Sequence, residues 1–541
     1  MRIYQLLSIC LFSGLFAATA QSPYENAHAD IDILHYAFRI NLNDSTNTIE
    51  GEATVRVLFR QENDADMTLD LVGKHAGGGM TVTSVSRDRE VLKYQHLQDK
   101  LLITLPAAPP NGVPQLITIR YKGIPADGLV ISQNRHGDRT FFGDNWPNRA
   151  RHWLPVVDHP SDKATCEWIV NAPSHYKVIG NGALKEEKDL GNGFTRTYWS
   201  EFTPIPTKVM VIGVARFAVK EAGVVDNVVV SSWLYPQDST KGFVDYQPAV
   251  DILRYFEERI GDYAYEKLAN VQSTTIFGGM ENAGNIFYNE NSIYGFEYPG
   301  LVKTIAHEIA HQWFGNSVSE TNYSHIWLSE GFATYLAADY LRYKYGKDAF
   351  LKEMLADRAA VMGFVKHSPD VPVVDSTEAD LMNLLNDNSY QKGGWVLYML
   401  HQEVGEQAFW KGLRQFFAKY RNANANTLDL KEIMQQVSGK NLDTFFQQWL
   451  YTPGTPSLRG TWQYKAGSGK VLIKLKQQTS YVYDINLEIG FFTGSNVLEK
   501  TETVRVNAKK MKFKLAAGSA PVNVRFDPNT LLLANWELTK K

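Results

Sequence analysis

Residues Thr304 to Gly315 read TIAHEIAHQWFG, and within them His307, Glu308 and His311 form the pattern His-Glu-x-x-His. On an α-helix, positions four apart share a face, so the two imidazoles can grip one ion. Zinc suits neutral imidazole nitrogen. Glu308, beside the first histidine, stands where it can take a proton from water at that ion. Three fixed positions also arise by chance, and the competing reading is a buried amphipathic helix with two incidental histidines. The neighbours favour the metal. Ile305, Ala306, Ile309, Ala310 and Phe314 are apolar. A buried helix with three ionisable groups needs something to offset their desolvation.

Downstream, Ile326 to Gly346 reads as a second long helix, with Glu330 among Trp327, Leu328 and Phe332. Glu330 follows His311 by nineteen positions, enough for a turn and an antiparallel return. A carboxylate in such company needs a partner, and a third place on the zinc supplies one. Two histidines and a glutamate leave a fourth position for water, as in catalytic rather than structural zinc sites. Upstream, Phe277 to Asn282 reads FGGMEN. Gly278 and Gly279 let backbone approach a ligand closely, and the carboxylate of Glu281 follows. Taken alone, an ordinary glycine turn with a solvated acid is the better reading of that stretch.

Together the three stretches resemble the zinc aminopeptidases of the thermolysin-like (gluzincin) clan, the aminopeptidase N and leukotriene hydrolase family. That family joins a Gly-x-Met-Glu-Asn exopeptidase motif, here Gly278, Gly279, Met280, Glu281 and Asn282, to His-Glu-x-x-His and a later glutamate. The resemblance implies one zinc per chain on His307, His311 and Glu330, with Glu308 as base. It also implies peptide substrates with a free N-terminus, whose α-ammonium pairs with Glu281. Ser389 to Leu400, SYQKGGWVLYML, resembles the family's Tyr-x-Lys-Gly segment, whose tyrosine stabilises the oxyanion, and so marks Tyr390. Arg149 to Thr165, RARHWLPVVDHPSDKAT, resembles a segment of the family's amino-terminal saddle domain. Just before it the family has a glutamine or glutamate that helps hold the substrate's amino end. Here Trp146 falls at that place, and Asp144 is the candidate substitute, with a surface aspartate as the rival reading. Met280, Ile276 and residues near Tyr390 are expected to shape the first side-chain pocket.

The rest of the chain sets bounds. Its 541 residues allow roughly three or four domains. Hydrophobic residues at 44% and charged residues at 21% indicate a globular chain. A net charge of −3 leaves no basic field for nucleic acid. Residues 1–20 read as a signal peptide: Arg2, an apolar core from Leu6 to Phe16, and Ala18-Thr19-Ala20 as the cleavage site, with maturation at Gln21. No later apolar run reaches membrane length, so a soluble protein, periplasmic or secreted, is expected. Only Cys166 then remains, which excludes an intrachain disulfide.

The expected architecture is α+β and multidomain. Residues 21–220 alternate with period two, as in Tyr36, Phe38, Ile40 and Leu42, and predict an antiparallel β saddle domain. Residues 221–452 predict the thermolysin-like, mostly helical catalytic domain. After the breaker-rich Tyr451 to Pro456, residues 455–541 alternate again and predict a small β-sandwich. No room remains for the large helical-repeat domain that caps the cleft in many family members, so an open cleft is expected. Two rival functions stand beside the aminopeptidase: a thermolysin-like endopeptidase, and a catalytically silent zinc-containing binding protein. Neither side-chain preference nor oligomeric state is legible in the residues.

Overall fold

The computed structural model describes residues 30–61, 65–494 and 496–541. The leader segment expected at residues 1–20, with its maturation point at Gln21, lies outside them. Among the described residues the chain is an α+β protein. A β-rich amino-terminal part is followed by a helical part containing the His-Glu-x-x-His stretch, and then by two further β-sheets.

The amino-terminal part centres on an eight-stranded sheet. Its middle comprises β1 (Ile31–Asn41), β2 (Ile49–Phe59), β3 (Gln115–Ile124), β4 (Lys163–Pro173) and β5 (Phe194–Pro206), in the spatial order β5-β4-β1-β2-β3. The alternation seen in the sequence maps onto burial: Tyr36, Phe38, Ile40, Ala53, Val55 and Val57 all face the core. The expectation of a wholly antiparallel sheet needs one correction. β1 and β4 run parallel, setting Tyr36 beside Cys166 and Phe38 beside Trp168. A parallel pair needs a long crossover. The chain between them supplies it, and on its way back carries Trp146 and Arg149 to the helical part.

A five-stranded sheet follows, with β6 (Val228–Leu234), β7 (Lys267–Ser273), β8 (Gly279–Met280) and β9 (Asn285–Asn289). β8 is its edge strand, paired on one side only, with β9. Helix α1 (Ala249–Ile260) lays Ile252, Leu253, Phe256 and Ile260 inward. Helix α2 (Pro299–Ala310) opens with proline in its first turn, where the missing N–H costs nothing, and closes on His311. Helix α3 (Trp327–Tyr345) is buried along its entire length from Trp327 to Leu341, the mark of a helix in the centre of a bundle. Helix α4 (Gly393–Val404) packs against it. Gly331 and Gly393 meet where a Cβ on either would lie under 3 Å from the other's backbone. That contact draws the start of α4 towards Glu330.

The carboxyl-terminal part has two sheets. One orders β14 (Lys510–Ala516), β11 (Lys470–Gln477), β10 (Ser457–Lys465) and β16 (Asn535–Lys540). The other orders β13 (Val497–Val506), β12 (Ile485–Thr493) and β15 (Asn523–Phe526). Leu458, Trp462, Val471, Ile473, Leu487, Ile489 and Phe491 fill the space between. The outward positions of the first sheet carry rows of lysine. The chain's net charge of −3 does not reveal this local concentration. Among the described residues, no helix is long and apolar enough to cross a membrane.

Candidate metal and active site

α2, α3, the edge strand β8 and the turn before α4 meet around a cavity of about 210 Å³. His307 Nε2 lies 3.1 Å from His311 Nε2. Oε2 of Glu330 lies 3.5 Å from the first of these nitrogens and 3.3 Å from the second. Donors at the corners of a tetrahedron about a zinc ion, each ~2.0–2.1 Å from it, stand about 3.3 Å apart. The three donors fit one such ion. The geometry follows from two helices. The i, i+4 spacing sets both imidazoles on one face of α2, and α3 returns with Glu330 in its first turn.

The ring of His311 is held from behind. Its Nδ1 lies 3.2 Å from the Phe314 carbonyl oxygen and 3.0 Å from Ser329 Oγ. A proton on Nδ1 donated to that carbonyl leaves the Nε2 lone pair free for a metal. Room for Ser329 depends on Gly315, whose φ is +126°; a Cβ there would stand 2.3 Å from Ser329 Oγ.

The electrostatics of the donor set call for a cation. Burial lowers His307 to about 4, against the pull of Glu330. Burial would lower His311 too, but the carboxylate of Glu330 beside it overrides this and raises it to about 9. Burial opposes the charge of Glu330, yet His311 and His307 hold its carboxyl well below the ordinary range. Without metal, the site therefore retains a proton on His311 as counter-charge to Glu330. Burial also pushes Glu308 well above a usual glutamate, with Glu281 and Glu330 adding to the effect and His311 opposing it.

Eight of the eleven sequence candidates converge here. Gly278, Gly279, Met280, His307, Glu308, His311, Glu330 and Tyr390 line the cavity, joined by Trp146, Phe277 and Leu385. The Tyr390 ring stacks on His307, centroids 5.9 Å apart at 8°. Tyr390 sits in a π-helical turn, Asn388–Lys392, that swings it out of line with α4. β8 presses so closely on the metal helix that a Cβ on Gly279 would stand 2.2 Å from Glu308 Oε1.

Glu281 stands one layer back from the cavity lining. Its carboxylate oxygen and those of Glu308 and His311's nitrogen all lie within 4.8 Å of one another. Its Oε1 is buried without a hydrogen-bond partner among the described residues. Its backbone oxygen accepts from Gln312 Nε2 at 2.8 Å and Asn316 Nδ2 at 2.6 Å, which fixes the motif to the end of α2. Asn282 is fully buried and does not line the cavity.

Two candidates are corrected. Asp144 is fully buried and away from the lining, because its carboxylate is already taken. Oδ1 accepts from Arg149 Nη2 at 2.5 Å, and Oδ2 from Thr275 Oγ1 at 2.9 Å and Ile276 N at 3.2 Å. It braces the loop that leads into β8. Trp146 lines the cavity, edge-on to Phe277. Ile276 does not line the cavity and is 61% exposed.

The sequence reading missed how the β-rich part is fastened to α2. Lys163 Nζ donates to the carbonyls of Asn316 and Ser317, just past His311. Lys208 and Glu320 form a fully buried ion pair at 2.5 Å. A lysine inside the apolar run Ile205 to Val214 was the available signal.

The chain matches the peptidase M1 N-terminal domain over residues 33–209 and the peptidase family M1 domain over residues 245–449. Together these span well over half of its length, and the chain belongs to peptidase family M1. Relatives include a leucyl aminopeptidase from Saccharolobus solfataricus, 27% identical over 63% of this chain and 43% of that protein. A glutamyl aminopeptidase from Sus scrofa is 27% identical over 58% of this chain and 35% of that protein. The chain thus spans less than half the length of either. Among solved structures, Legionella pneumophila aminopeptidase A shares the fold with a TM-score of 0.79 at 18% identity, over 94% of this chain and 60% of that one. An M1 zinc metallopeptidase from Deinococcus radiodurans gives 0.66 at 20%, over 78% and 95%.

Proposed function

We propose that the protein is a zinc-dependent aminopeptidase that removes the N-terminal residue of peptides. The observation that carries this is the three-donor set at tetrahedral spacing with Glu308 beside it and the unpaired carboxylate oxygen of Glu281 just behind. His307, His311 and Glu330 would hold one zinc ion per chain. Bound there, zinc supplies a Lewis acid that polarises the scissile carbonyl and acidifies water.

The chain's own residues supply the rest. Glu308 takes a proton from the attacking water and returns it to the leaving amine. Tyr390, its ring stacked on His307, donates from its hydroxyl to the carbonyl oxygen as negative charge develops. β8 offers backbone N–H and C=O groups along a free edge, where an extended peptide can add as a strand. A substrate α-ammonium gives the buried Glu281 carboxylate the donors it lacks, in a charge-assisted hydrogen bond. That pairing sets the scissile bond one residue from the chain end. Burial raises Glu281 above its usual range, so an ammonium is favoured there over an empty anionic pocket.

The test compares an aminoacyl anilide with its N-acetylated form, before and after zinc removal. The proposal requires cleavage of the free amine only, lost with the metal and restored by zinc. Equal cleavage of both forms leaves the endopeptidase, and no cleavage of any peptide leaves the zinc-containing binding protein. We also propose export, on the strength of Arg2, Leu6 to Phe16 and Ala18-Thr19-Ala20. Sequencing the mature protein should give Gln21 first, and an intact Met1 end would rule this out.

A further inference from the structure

The outer face of the first carboxyl-terminal sheet carries lysine along two neighbouring strands. Along β11 the outward positions include Lys470, Lys474 and Lys476, and along β14 they are Lys510, Lys512 and Lys514. The register sets like charges directly opposite one another: Lys474 faces Lys512, and Lys476 faces both Lys510 and, on β10, Arg459. Among the described residues none of the six lysines pairs with a carboxylate within 4 Å. The nearest acid on the sheet, Glu537 of β16, is paired with Arg459 at 2.9 Å. Opposed like charges destabilise a sheet. Six in two neighbouring rows, in a chain of net charge −3, make a concentrated positive field where average composition predicts none.

Among the described residues the face is also free. Leu458, Trp462, Val471 and Ile473 point the other way, into the sandwich. The contacts to the helical part come from elsewhere, through Arg358 to Asp527, Gln448 to Asp484 and Met399 to Leu533. Across β10, β11 and β14 runs an open trough of about 580 Å³, lined by Arg459 and Thr461 as well as Lys474, Lys476, Lys510 and Lys512.

We propose that this face docks the protein on an anionic lipid surface. The chemistry favours that partner. A broad, shallow array of ammonium groups matches a plane of phosphate headgroups, and lysine stems can settle along the interface while their heads stay solvated. The outward rows offer no aromatic ring for base stacking and no second arginine for bidentate readout, so single-stranded and sequence-specific nucleic acid fit less well. No insertion is involved; the attachment is peripheral and electrostatic, and the lysine face shares no residue with the catalytic cavity.

The experiment is co-sedimentation of the full chain with phosphatidylcholine vesicles, plain or containing about a third phosphatidylglycerol. Binding is expected to the anionic vesicles alone at roughly 0.05 M salt, and to be lost at roughly 0.5 M. Each lysine near such a surface contributes roughly fivefold, so Lys474→Gln, Lys476→Gln and Lys512→Gln together should weaken partitioning about 100-fold. Anilide cleavage by this variant should equal the parent's, and its melting temperature should hold or rise as like-charge pairs disappear. Lys510→Gln with Lys514→Gln gives an independent variant that should weaken binding about 25-fold. Three substitutions on the amino-terminal part, Lys93→Gln, Lys122→Gln and Lys188→Gln, should bind as the parent does. The proposal fails if anionic vesicles are not bound, if neutral ones are bound equally, or if the amino-terminal variant loses as much. It fails also if duplex DNA is bound and vesicles are not.

Discussion

Gly279→Ala is the sharpest perturbation the site allows. An added Cβ would lie 2.2 Å from Oε1, 2.5 Å from Cδ and 2.7 Å from Cγ of Glu308. Ordinary contact begins near 3.4 Å, so the overlap is about 1 Å and involves three atoms. Turning the carboxylate alone cannot relieve it; the whole Glu308 side chain must swing away. Gly279 has no positive φ that alanine would find strained, and β8 is an edge strand, so the fold should accept the change. The metal donors are untouched. Misplacing a catalytic group by ~1 Å costs on the order of 100-fold in rate. The expected outcome is therefore a zinc content of one per chain, a melting temperature within a few degrees of the parent, and kcat on an aminoacyl anilide down about 100-fold. Gly278→Ala is the control, since a Cβ there meets nothing within 4 Å. If Gly279→Ala keeps kcat within threefold while folded and metal-loaded, then Glu308 is not the base held at this spot.

Further outcomes test separate parts of the site. Tyr390→Phe should lower kcat ~10²–10³-fold with KM little changed, which steady-state kinetics would check. Glu281→Gln should weaken cleavage of free-amine substrates, read as KM and kcat on an anilide; an unchanged kcat/KM would remove Glu281 from substrate binding. Removal of zinc should lower the melting temperature as well as activity, because an ion held only by the folded chain stabilises it; calorimetry with and without a chelator measures it. Burial raises Asp162 to about 7, and its Oδ1 has no partner among the described residues. An acid raised in the folded state binds its proton more tightly there, so stability falls as pH climbs from near 4 to near 7. Asp162→Asn should thus be close to neutral at pH ~4 and stabilise by up to about 4 kcal/mol at pH ~8. Denaturant melts at the two pH values would show it, and a gain equal at both would refute the burial argument.

What could be read in advance follows the range of each interaction. The pair His307 and His311 is a local fact: helical periodicity alone sets the two rings side by side. Glu330 needed one further step, a lone carboxylate among large apolar residues, and its position in the first turn of α3 follows from the return of the chain. Tyr390 had no such local mark. Its ring reaches His307 because the helix begins in a π turn and because Gly331 and Gly393 let two helices touch, neither of which leaves a pattern in composition. Family likeness supplied it instead.

Asp144 shows the opposite failure. A carboxylate near the right place in the chain has the right chemistry for an ammonium, but its use depends on which partners reach it first. Arg149 lies five residues on, and Thr275 and Ile276 far along the chain; together they engage both oxygens. Glu281 differs only in what surrounds it: one oxygen is left buried and unpaired, a costly state that persists where a ligand is to complete it. The same reasoning explains the lysine face. Net charge sums over the chain, whereas a field depends on which charges the sheet register aligns, and β11 and β14 align theirs. In each case residue type names the chemistry available, and the count of satisfied neighbours decides whether it is spent inside the fold or held for something outside it.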